Sequence, residues 1–451
     1  MPVIMAAGQG SRMTDLTSKC PKALLPVGNM PMIWYPVNML ERAGFEEAIV
    51  IVLQSTLNEI QKTLVDIHGV KMKLHFEGIP DNDLGTADSL KLLKGKVKTD
   101  ILVISCDLIT DLSLHHIANV HRTYDASVTM LLSTVPQQYL DIAPPGVRTR
   151  KRSDKDFIGF DEKGDRVLFM ASEADLEDTV TFRKSVLKRH PFINIKSGLT
   201  DCHLYLMKKW VIDYLATSKS ISSIRSELIP YLVKKQFSKP KQEVPNTNQS
   251  VISEDTKPDI FSFSSEDALT QSVRDMSTWI DHQGDMEDCY HDNKIRCYAY
   301  VQDGGFCVRT NTISAYSESN KQIPRMLPSI APSLEVVNIH PTATVKSKSQ
   351  VGGESLVAEG TQFGEKSSVK RSIVGKHCKI GDKCKIANTV IMDYVNISDG
   401  CTVTNSIIGS NVHIQEKCEI KDCIVGDGQS LNAMGQYINE TIVDIDKMME
   451  I

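Results

Sequence analysis

Two glycines and two cationic side chains near the start of the chain have types and spacing suited to holding a phosphate. Gly8 and Gly10 follow a short apolar run, and Ser11, Arg12 and Lys22 come after them. A strand that ends in a glycine-rich loop presents backbone N–H groups to a phosphate, and nearby cations neutralise its charge. The sequence therefore predicts a nucleotide-binding loop, with a tight turn carrying a solvated arginine as the alternative.

The spacing of this loop differs from that of the two commonest phosphate-binding loops. No Lys-Ser or Lys-Thr pair follows a second glycine five residues on, and Met13 stands where a dinucleotide-binding loop has its third glycine. The stretch instead resembles the signature of the sugar-phosphate nucleotidylyltransferases, G-x-G-[ST]-R-[LM]-x-x-L-T-x-x-x-P-K-x-L-L-P-V. Residues 8–27 meet every fixed position of that signature.

Two aspartates and a second glycine are further candidates, because nucleotidyl transfer needs a divalent metal held by carboxylates. The resemblance implies that Asp107, after the apolar strand 101–105, and Asp201 are the metal ligands. It also implies that Gly85 and Thr86 belong to a loop that reads the nucleotide base. Structural alternatives remain open, since an aspartate in this place can cap a helix and a glycine can form a turn before one.

The sequence departs from the family pattern mainly where the sugar phosphate would bind. Family enzymes carry a Glu-Lys-Pro segment there, and residues 169–200 contain none. His203 stands where a glycine is usual, and Ala23 replaces a proline. We therefore assign no catalytic residue and expect the matched positions to be vestigial. These positions are Arg12, Lys22, Asp107 and Asp201.

The carboxy-terminal third of the chain repeats with a short period. From 339 to 369 an aliphatic or aromatic residue recurs every six residues, and from 374 to 431 the steps are five, six and six. Such internal periodicity marks a solenoid. From Val345 through Val425 a small or β-branched residue stands two places before each of these, so both side chains point inward in a narrow three-sided coil. The pattern resembles the hexapeptide-repeat β-helices, whose members are left-handed.

Cysteines occupy many of the small positions in this series, which favours a role as core residues over the alternative of a metal cluster. The chain has eleven cysteines but no C-x-x-C pair. Those in the repeat are Cys378, Cys384, Cys401, Cys418 and Cys423.

Strand and helix patterns alternate at the start of the chain, which predicts a Rossmann-like α/β domain with a mainly parallel sheet. A polar stretch without apolar period follows and predicts a flexible linker. The predicted divisions are an α/β domain at 1–236, a linker at 237–272, a connecting segment with a hairpin across Asp303-Gly304-Gly305 at 273–335, a left-handed β-helix at 336–435, and a tail at 436–451.

Length and composition indicate an ordinary multidomain globular protein. The chain has 451 residues, of which 41% are hydrophobic and 24% charged, and its net charge is −5. That charge argues against direct nucleic-acid binding, and we interpret the basic run at 148–152 as a solvated loop. Because no apolar run approaches the ~20 residues of a membrane span and no signal peptide precedes the fold, we expect a cytosolic protein without membrane contact.

A nucleotidylyltransferase-like domain followed by a hexapeptide β-helix describes mannose-1-phosphate guanylyltransferase and also the gamma and epsilon subunits of eukaryotic translation initiation factor 2B. Several segments are most similar to the gamma-subunit family. The epsilon subunit continues past its β-helix into a helical domain that performs nucleotide exchange, whereas only twenty residues follow Leu431. The segments similar to the gamma family are 12–17, 33–36, 85–90, 105–111 and 223–233.

The resemblance implies a non-catalytic subunit that pairs directly with the epsilon subunit and assembles with the alpha, beta and delta subunits. The assembly would promote GDP/GTP exchange on initiation factor 2, and no cofactor would be required. One alternative is an active, metal-dependent sugar-1-phosphate nucleotidylyltransferase similar to mannose-1-phosphate guanylyltransferase. A third interpretation is a module that weakly binds GTP or ATP with Mg²⁺ and does not turn it over.

Overall fold

The amino-terminal part of the chain is an α/β unit whose strands alternate with short helices. The computed structural model describes residues 1–66, 70–82, 84–134, 145–146, 155–176, 179–238, 259–264, 269, 272, 276, 294–332 and 337–443. The strands of this unit are β1 Pro2–Met5, β2 Pro26–Val27, β3 Met30–Pro31, β4 Glu47–Leu53, β5 Lys73–Ile79, β6 Ile101–Ser105, β7 Leu108–Thr110, β8 Val128–Thr134, β9 Asp156–Phe160, β10 Val167–Ser172, β11 Asn194–Lys196, β12 Leu199–Met207, β13 Cys297–Gln302 and β14 Cys307–Arg309.

Seven of these strands form the central sheet, in the order β13, β8, β12, β6, β1, β4 and β5. Only β12 runs antiparallel to its neighbours, and the other pairs are parallel. Strands such as β4 and β6 are nearly continuous apolar runs, as expected for a parallel sheet that is covered on both faces. The predicted mainly parallel α/β sheet is confirmed.

Helices cover the sheet, and one of them lies within the predicted linker. Ile260 and Phe261 of α9 are buried in the core beneath the sheet, and the Phe263 ring contacts Tyr214. The linker prediction is therefore wrong for 259–264, because the few apolar side chains of this segment pack into the core of the α/β unit. The helices are α1 Thr14–Thr17, α2 Trp34–Arg42, α3 Leu57–Asp66, α4 Thr86–Lys91, α5 Leu114–Thr123, α6 Lys184–Arg189, α7 Lys209–Thr217, α8 Ile229–Lys235, α9 Ile260–Phe263 and α10 Ile313–Ile330.

Parts of the sequence for which we made predictions lie outside the described residues. These include the basic run at 148–152, the linker residues 239–258, 265–268, 270 and 271, and the tail residues 444–451. Among the helices that the structure does describe, none is both long and apolar enough to cross a membrane.

The predicted hairpin across residues 303–305 is wrong, because its two strands pair with earlier parts of the chain. β13 lies parallel to β8 at one side of the central sheet, and β14 lies antiparallel to β7. An isolated hairpin buries little apolar surface, whereas β13 buries Cys297 and Ala299 in the core beneath the sheet. The segment after the linker therefore completes the α/β unit.

The carboxy-terminal part is the predicted left-handed β-helix, built from three six-stranded parallel sheets. All the aliphatic and aromatic inward positions predicted from the repeat lie in one core, and the five cysteines of the series are buried there. Its strands are β15 Thr344–Val345, β16 Gln350–Val351, β17 Leu356–Val357, β18 Gln362–Phe363, β19 Ser368–Lys370, β20 Ile373–Val374, β21 Lys379–Ile380, β22 Lys385–Ala387, β23 Val390–Ile391, β24 Asn396–Ile397, β25 Thr402–Thr404, β26 Ile407–Ile408, β27 His413–Ile414, β28 Glu419–Lys421, β29 Ile424–Val425, β30 Ser430–Leu431, β31 Gln436–Ile438 and β32 Thr441–Ile442.

The β-helix extends beyond the predicted end at residue 435. Strands β31 and β32 add to two of its sheets, and Tyr437 and Ile442 pack against the core. These two residues stand six and five places further along the same series, so the repeat continues to residue 442. The start of the predicted tail, 436–442, is therefore part of the solenoid.

One face of the β-helix is covered by the α/β unit. The sheet containing β17, β20, β23, β26 and β29 points a second apolar column outward, and that column is buried. Helix α10 packs on it together with residues of the loop around β2 and β3. We call this column the docking column. Its members are Leu356, Ile373, Val390, Ile407 and Ile424.

Candidate functional site

The strand order brings the predicted site residues to one edge of the central sheet. β1 lies next to β6, so the glycine-rich loop that follows β1 is close to Asp107, which follows β6. β12 is antiparallel to β6 with Leu204 opposite Ile104, and this register carries Asp201 toward Asp107. The fold thus gathers the loop and both aspartates, as expected for the carboxyl ends of parallel strands.

Asp107 is fully buried and is held by two cations. Lys22 Nζ lies 2.5 Å from Oδ2, and Arg309 donates from Nε to Oδ1 and from Nη2 to Oδ2, both at 3.1 Å. Burial alone would raise the pKa of this carboxyl, but the charges and hydrogen bonds of Arg309 and Lys22 outweigh it and hold the pKa well below its usual value. Asp107 is therefore an ionised carboxylate whose two oxygens are both engaged.

Sequence reasoning did not find Arg309, which comes 202 residues after Asp107. It lies on β14, and the pairing of β14 with β7 sets it opposite Leu108, next to the aspartate. Thr310 adds to the anchor, since its backbone N and its Oγ1 both donate to the Asp107 carbonyl at 2.9 and 3.0 Å. No signal along the chain marks this arginine, because only the pairing of two three-residue strands brings it to the site.

Asp201 is also buried, with both carboxylate oxygens hydrogen-bonded by the protein. Tyr205 Oη donates to Oδ2 at 2.6 Å, and the His203 backbone N–H donates to Oδ1 at 2.8 Å. Burial raises the pKa of Asp201 even though these hydrogen bonds oppose the change. His203 has φ of +51°, which explains why glycine is usual at this position: a glycine adopts that conformation without strain.

The predicted phosphate loop contains one glycine that the fold requires and one that it does not. Gly10 has φ of +77°, and a Cβ there would lie 2.7 Å from Thr17 Cγ2. A Cβ at Gly8 would meet nothing within 4 Å. Ser11 and Arg12 are exposed beside them. The loop is therefore shaped by its own packing at Gly10 and is open to solvent at Gly8.

The predicted base-reading loop packs against its own chain. A Cβ at Gly85 would lie 2.1 Å from the carbonyl oxygen of Ser222. Thr86 Oγ1 accepts a hydrogen bond from the Ile224 backbone N–H at 3.0 Å. Glycine is needed here because the protein backbone approaches closely, while base recognition stays a prediction.

A cleft of about 1560 Å³ opens beside these residues. Arg12, Thr86, His203 and Arg309 contribute to its wall, whose far side is apolar and includes the Phe169–Phe182 ring pair. Five cationic side chains line the cleft against two carboxylates, one of which, Asp156, is paired with Arg225. The cations are Arg12, Arg183, Arg225, Lys234 and Arg309.

The donor set does not fit the divalent metal that the resemblance implies. A metal on Asp107 would have to displace Lys22 and Arg309, and a metal on Asp201 would compete with Tyr205 and His203. Mg²⁺ needs octahedral coordination by oxygen ligands, and two cations already occupy this carboxylate. Among the described residues no group of three or more histidine, cysteine or acidic side chains is placed to hold a metal.

The fold and the site together define a nucleotidylyltransferase-like chain with a hexapeptide β-helix, and two family models agree. A model described as nucleotidyl transferase matches residues 1–170, and one described as the EIF2B subunit epsilon LbH domain matches 336–435. The Schizosaccharomyces pombe protein named translation initiation factor eIF2B subunit gamma is 31% identical over 81% of this chain and 73% of its own length. Its Dictyostelium discoideum counterpart is 30% identical over 82% and 85%. The chain belongs to the eIF2B gamma-subunit family.

Similarity to sugar-nucleotide enzymes covers a smaller share of the chain. The Saccharomyces cerevisiae mannose-1-phosphate guanyltransferase is 30% identical over 173 residues, which cover 35% of this chain and 46% of that protein. The family assignment confirms the predicted gamma-subunit resemblance. It also supports the assignment of the chain as a subunit of translation initiation factor 2B.

Proposed function

We propose that this chain is a non-catalytic subunit of a guanine-nucleotide exchange assembly. It pairs with an epsilon-type subunit, joins alpha-, beta- and delta-type subunits, and supports GDP/GTP exchange on initiation factor 2 in the cytosol. The relatives named gamma support this proposal over most of the chain. In this role the chain needs no cofactor of its own.

The observation that carries the non-catalytic part is the state of Asp107. In a metal-dependent nucleotidyl transfer, carboxylates hold the cation that neutralises charge on the transferred phosphate. Here Lys22 and Arg309 both form ion pairs with that carboxylate, which is fully buried. The chain therefore uses the family's metal position as a structural ion pair.

The assembly role is tested by purifying the tagged full chain from cells. We expect four further subunits of the initiation factor in stoichiometric amounts and exchange activity toward GDP-loaded initiation factor 2. Recovery of a homo-oligomer alone would contradict the proposal.

The non-catalytic role is tested separately on the isolated chain. Mannose-1-phosphate or glucose-1-phosphate is supplied with each NTP and Mg²⁺, and we expect no product above a Lys22→Ala control. The missing Glu-Lys-Pro segment leaves the sugar phosphate without its cation, which is the physical reason for this expectation. Turnover above the control would favour the alternative, a sugar-1-phosphate nucleotidylyltransferase.

A further inference from the structure

Residues 179–200 form a basic segment without an acidic side chain. They include five lysines and arginines but no aspartate or glutamate, in a chain whose net charge is −5. Arg183 belongs to the cleft wall and donates to Ser238 Oγ at 2.9 Å. Lys184 and Lys188 of α6 are exposed, and neither forms an ion pair with any described residue. These two charges are therefore available to a partner outside the site described above.

Exposed apolar side chains are interleaved with these cations. Leu187, Phe192 and Ile195 are 46%, 68% and 46% exposed, and they stand close together along the chain. Helix α6 buries Val186 and leaves Leu187 exposed on the side of the two lysines, because residues three and four apart share a helix face. Single exposed apolar residues are ordinary, whereas a group of them rimmed by charges marks an interaction surface.

Strand β11 adds an open backbone edge next to these side chains. The small sheet has the order β10, β9, β11, so within the described residues β11 pairs with β9 alone. All three of its residues, including Ile195 and Lys196, are exposed. The free edge of a strand presents N–H and C=O groups with which another strand can pair.

We propose that α6 and β11 form a docking surface for an acidic, extended peptide segment of another protein. The segment adds a strand to the free edge of β11, its apolar side chains pack on those of the surface, and its carboxylates pair with the lysines. Lysines along an edge repel a second copy of the same strand and attract an acidic one, so charge selects the partner. We call this surface the α6–β11 patch. Its members are Lys184, Leu187, Lys188, Phe192, Ile195 and Lys196.

An RNA would meet the same cations, but the other features of the patch favour a peptide. Of its three apolar side chains only Phe192 has a ring on which a base can stack. An unpaired strand edge recognises a peptide backbone, which nucleic acids lack. The net negative charge of the whole chain also opposes binding of a long polyanion.

The test is fluorescence anisotropy of the full chain with two labelled peptides of equal composition, ELEVELE and EEEELLV. We expect ELEVELE to bind about tenfold more tightly, because only alternation places acidic and apolar side chains on opposite faces of a strand. Its binding should weaken as salt is added, since salt screens the lysine–carboxylate attraction.

Two double charge reversals provide a matched pair of variants. Lys184→Glu with Lys188→Glu should weaken binding of ELEVELE about tenfold. Lys62→Glu with Lys94→Glu changes the net charge equally at exposed lysines elsewhere and should leave the affinity unchanged. Phe192→Ser tests the apolar contact and should also weaken binding about tenfold. The substituted side chains are all exposed, so these variants are expected to fold.

Hydrogen exchange tests the addition of a strand directly. ELEVELE should slow amide exchange within residues 194–196 and leave exchange in β5, at the opposite edge of the central sheet, unchanged. Binding without this protection would overturn the strand pairing that we propose.

Other outcomes would also contradict the proposal. Lack of binding, equal affinity for both peptides, or equal losses in the two double variants would mean that the patch does not recognise an acidic strand. Tighter binding of a short oligouridine, lost in the Lys184→Glu, Lys188→Glu variant, would identify a nucleic-acid surface. A dimer of the free chain that Phe192→Ser dissociates in light scattering would make the patch an interface between copies. Each result is independent of the proposed function, because none of these measurements reads subunit co-purification or nucleotide exchange.

Discussion

The backbone N–H of Gly28 donates a 2.9 Å hydrogen bond to Oδ1 of Asn320, and both residues are deep in the protein. Gly28 directly follows the nucleotidylyltransferase-like signature, and Asn320 lies on α10, the helix that packs on the docking column. The Asn320 amide is fixed in turn, since its Nδ2 donates to the Tyr316 carbonyl at 3.0 Å. This contact ties the signature loop to the helix that joins the two parts of the chain.

Gly28→Ala should weaken that joint more than the same substitution at another glycine of positive φ that has no close neighbour. Gly28 has φ of +57°, and a Cβ there would lie 2.3 Å from Ile323 Cγ2. Gly44 has φ of +84° with nothing within 4 Å, so Gly44→Ala is the control for strain alone. We expect Gly28→Ala to lose about 1–3 kcal/mol of unfolding free energy beyond the control, measured by urea denaturation. Equal losses would mean that Ile323 moves aside without cost.

Two adjacent residues test the register of the β-helix. Ile397 is buried in the solenoid core and Asn396 is exposed beside it. Ile397→Asp places an unpaired charge among apolar side chains, so we expect a loss of several kcal/mol and rapid proteolysis across residues 340–431. Asn396→Asp should be nearly silent in the same limited-proteolysis assay. Similar cleavage of both variants would contradict the assignment of inward and outward positions.

A substitution in the docking column should have a different effect from one in the solenoid core. Ile407 is buried against the α/β unit, whereas His413 points outward on an uncovered sheet. Ile407→Ser should cost about 2–5 kcal/mol at the joint and leave the coils intact, so that the two parts separate in solution. Small-angle scattering should show a larger radius of gyration for Ile407→Ser and no change for His413→Ser. An unchanged radius in both would indicate that polar contacts alone hold the parts together.

Stability should fall as the pH drops below about 6.5, because burial lowers the pKa of His121 to about 4. Between these values the unfolded chain binds a proton that the folded chain does not, so protonation favours unfolding. The full difference is about 3 kcal/mol, reached near pH 4. His121→Gln should flatten the slope of unfolding free energy against pH, whereas His115→Gln, exposed on the same helix, should not. If the unfolding free energy of both variants has the same slope against pH, a group other than His121 takes up the proton.

The solenoid could be predicted closely because each coil requires the same short pattern of side chains. One large and one small side chain must point inward every five or six residues, so the sequence states the register directly. The docking column was also visible in principle: Leu356, Ile373 and Ile407 recur at the outward position next to an inward residue. An outward apolar column at every coil predicts a covered face.

The rest of the fold depends on pairing between distant residues. β13 pairs with β8 although about 170 residues separate them in sequence. Arg309 could not be predicted for the same reason, because it is 202 residues from Asp107. Asp107 and Lys22 could be found because they stand in motifs, while the cation that determines their chemistry belongs to a three-residue strand without one. Motifs therefore predicted where the site lies but not what holds its carboxylate.

The late position of β13 in the chain has a consequence for synthesis on the ribosome. The edge of β8 stays unpaired until residues 297–302 emerge, some sixty residues after α8 ends at Lys235. At roughly 5–20 residues per second this leaves the edge open for several seconds. An exposed strand edge can pair with other nascent chains, so this protein should depend on chaperones or early partner subunits while it is being made.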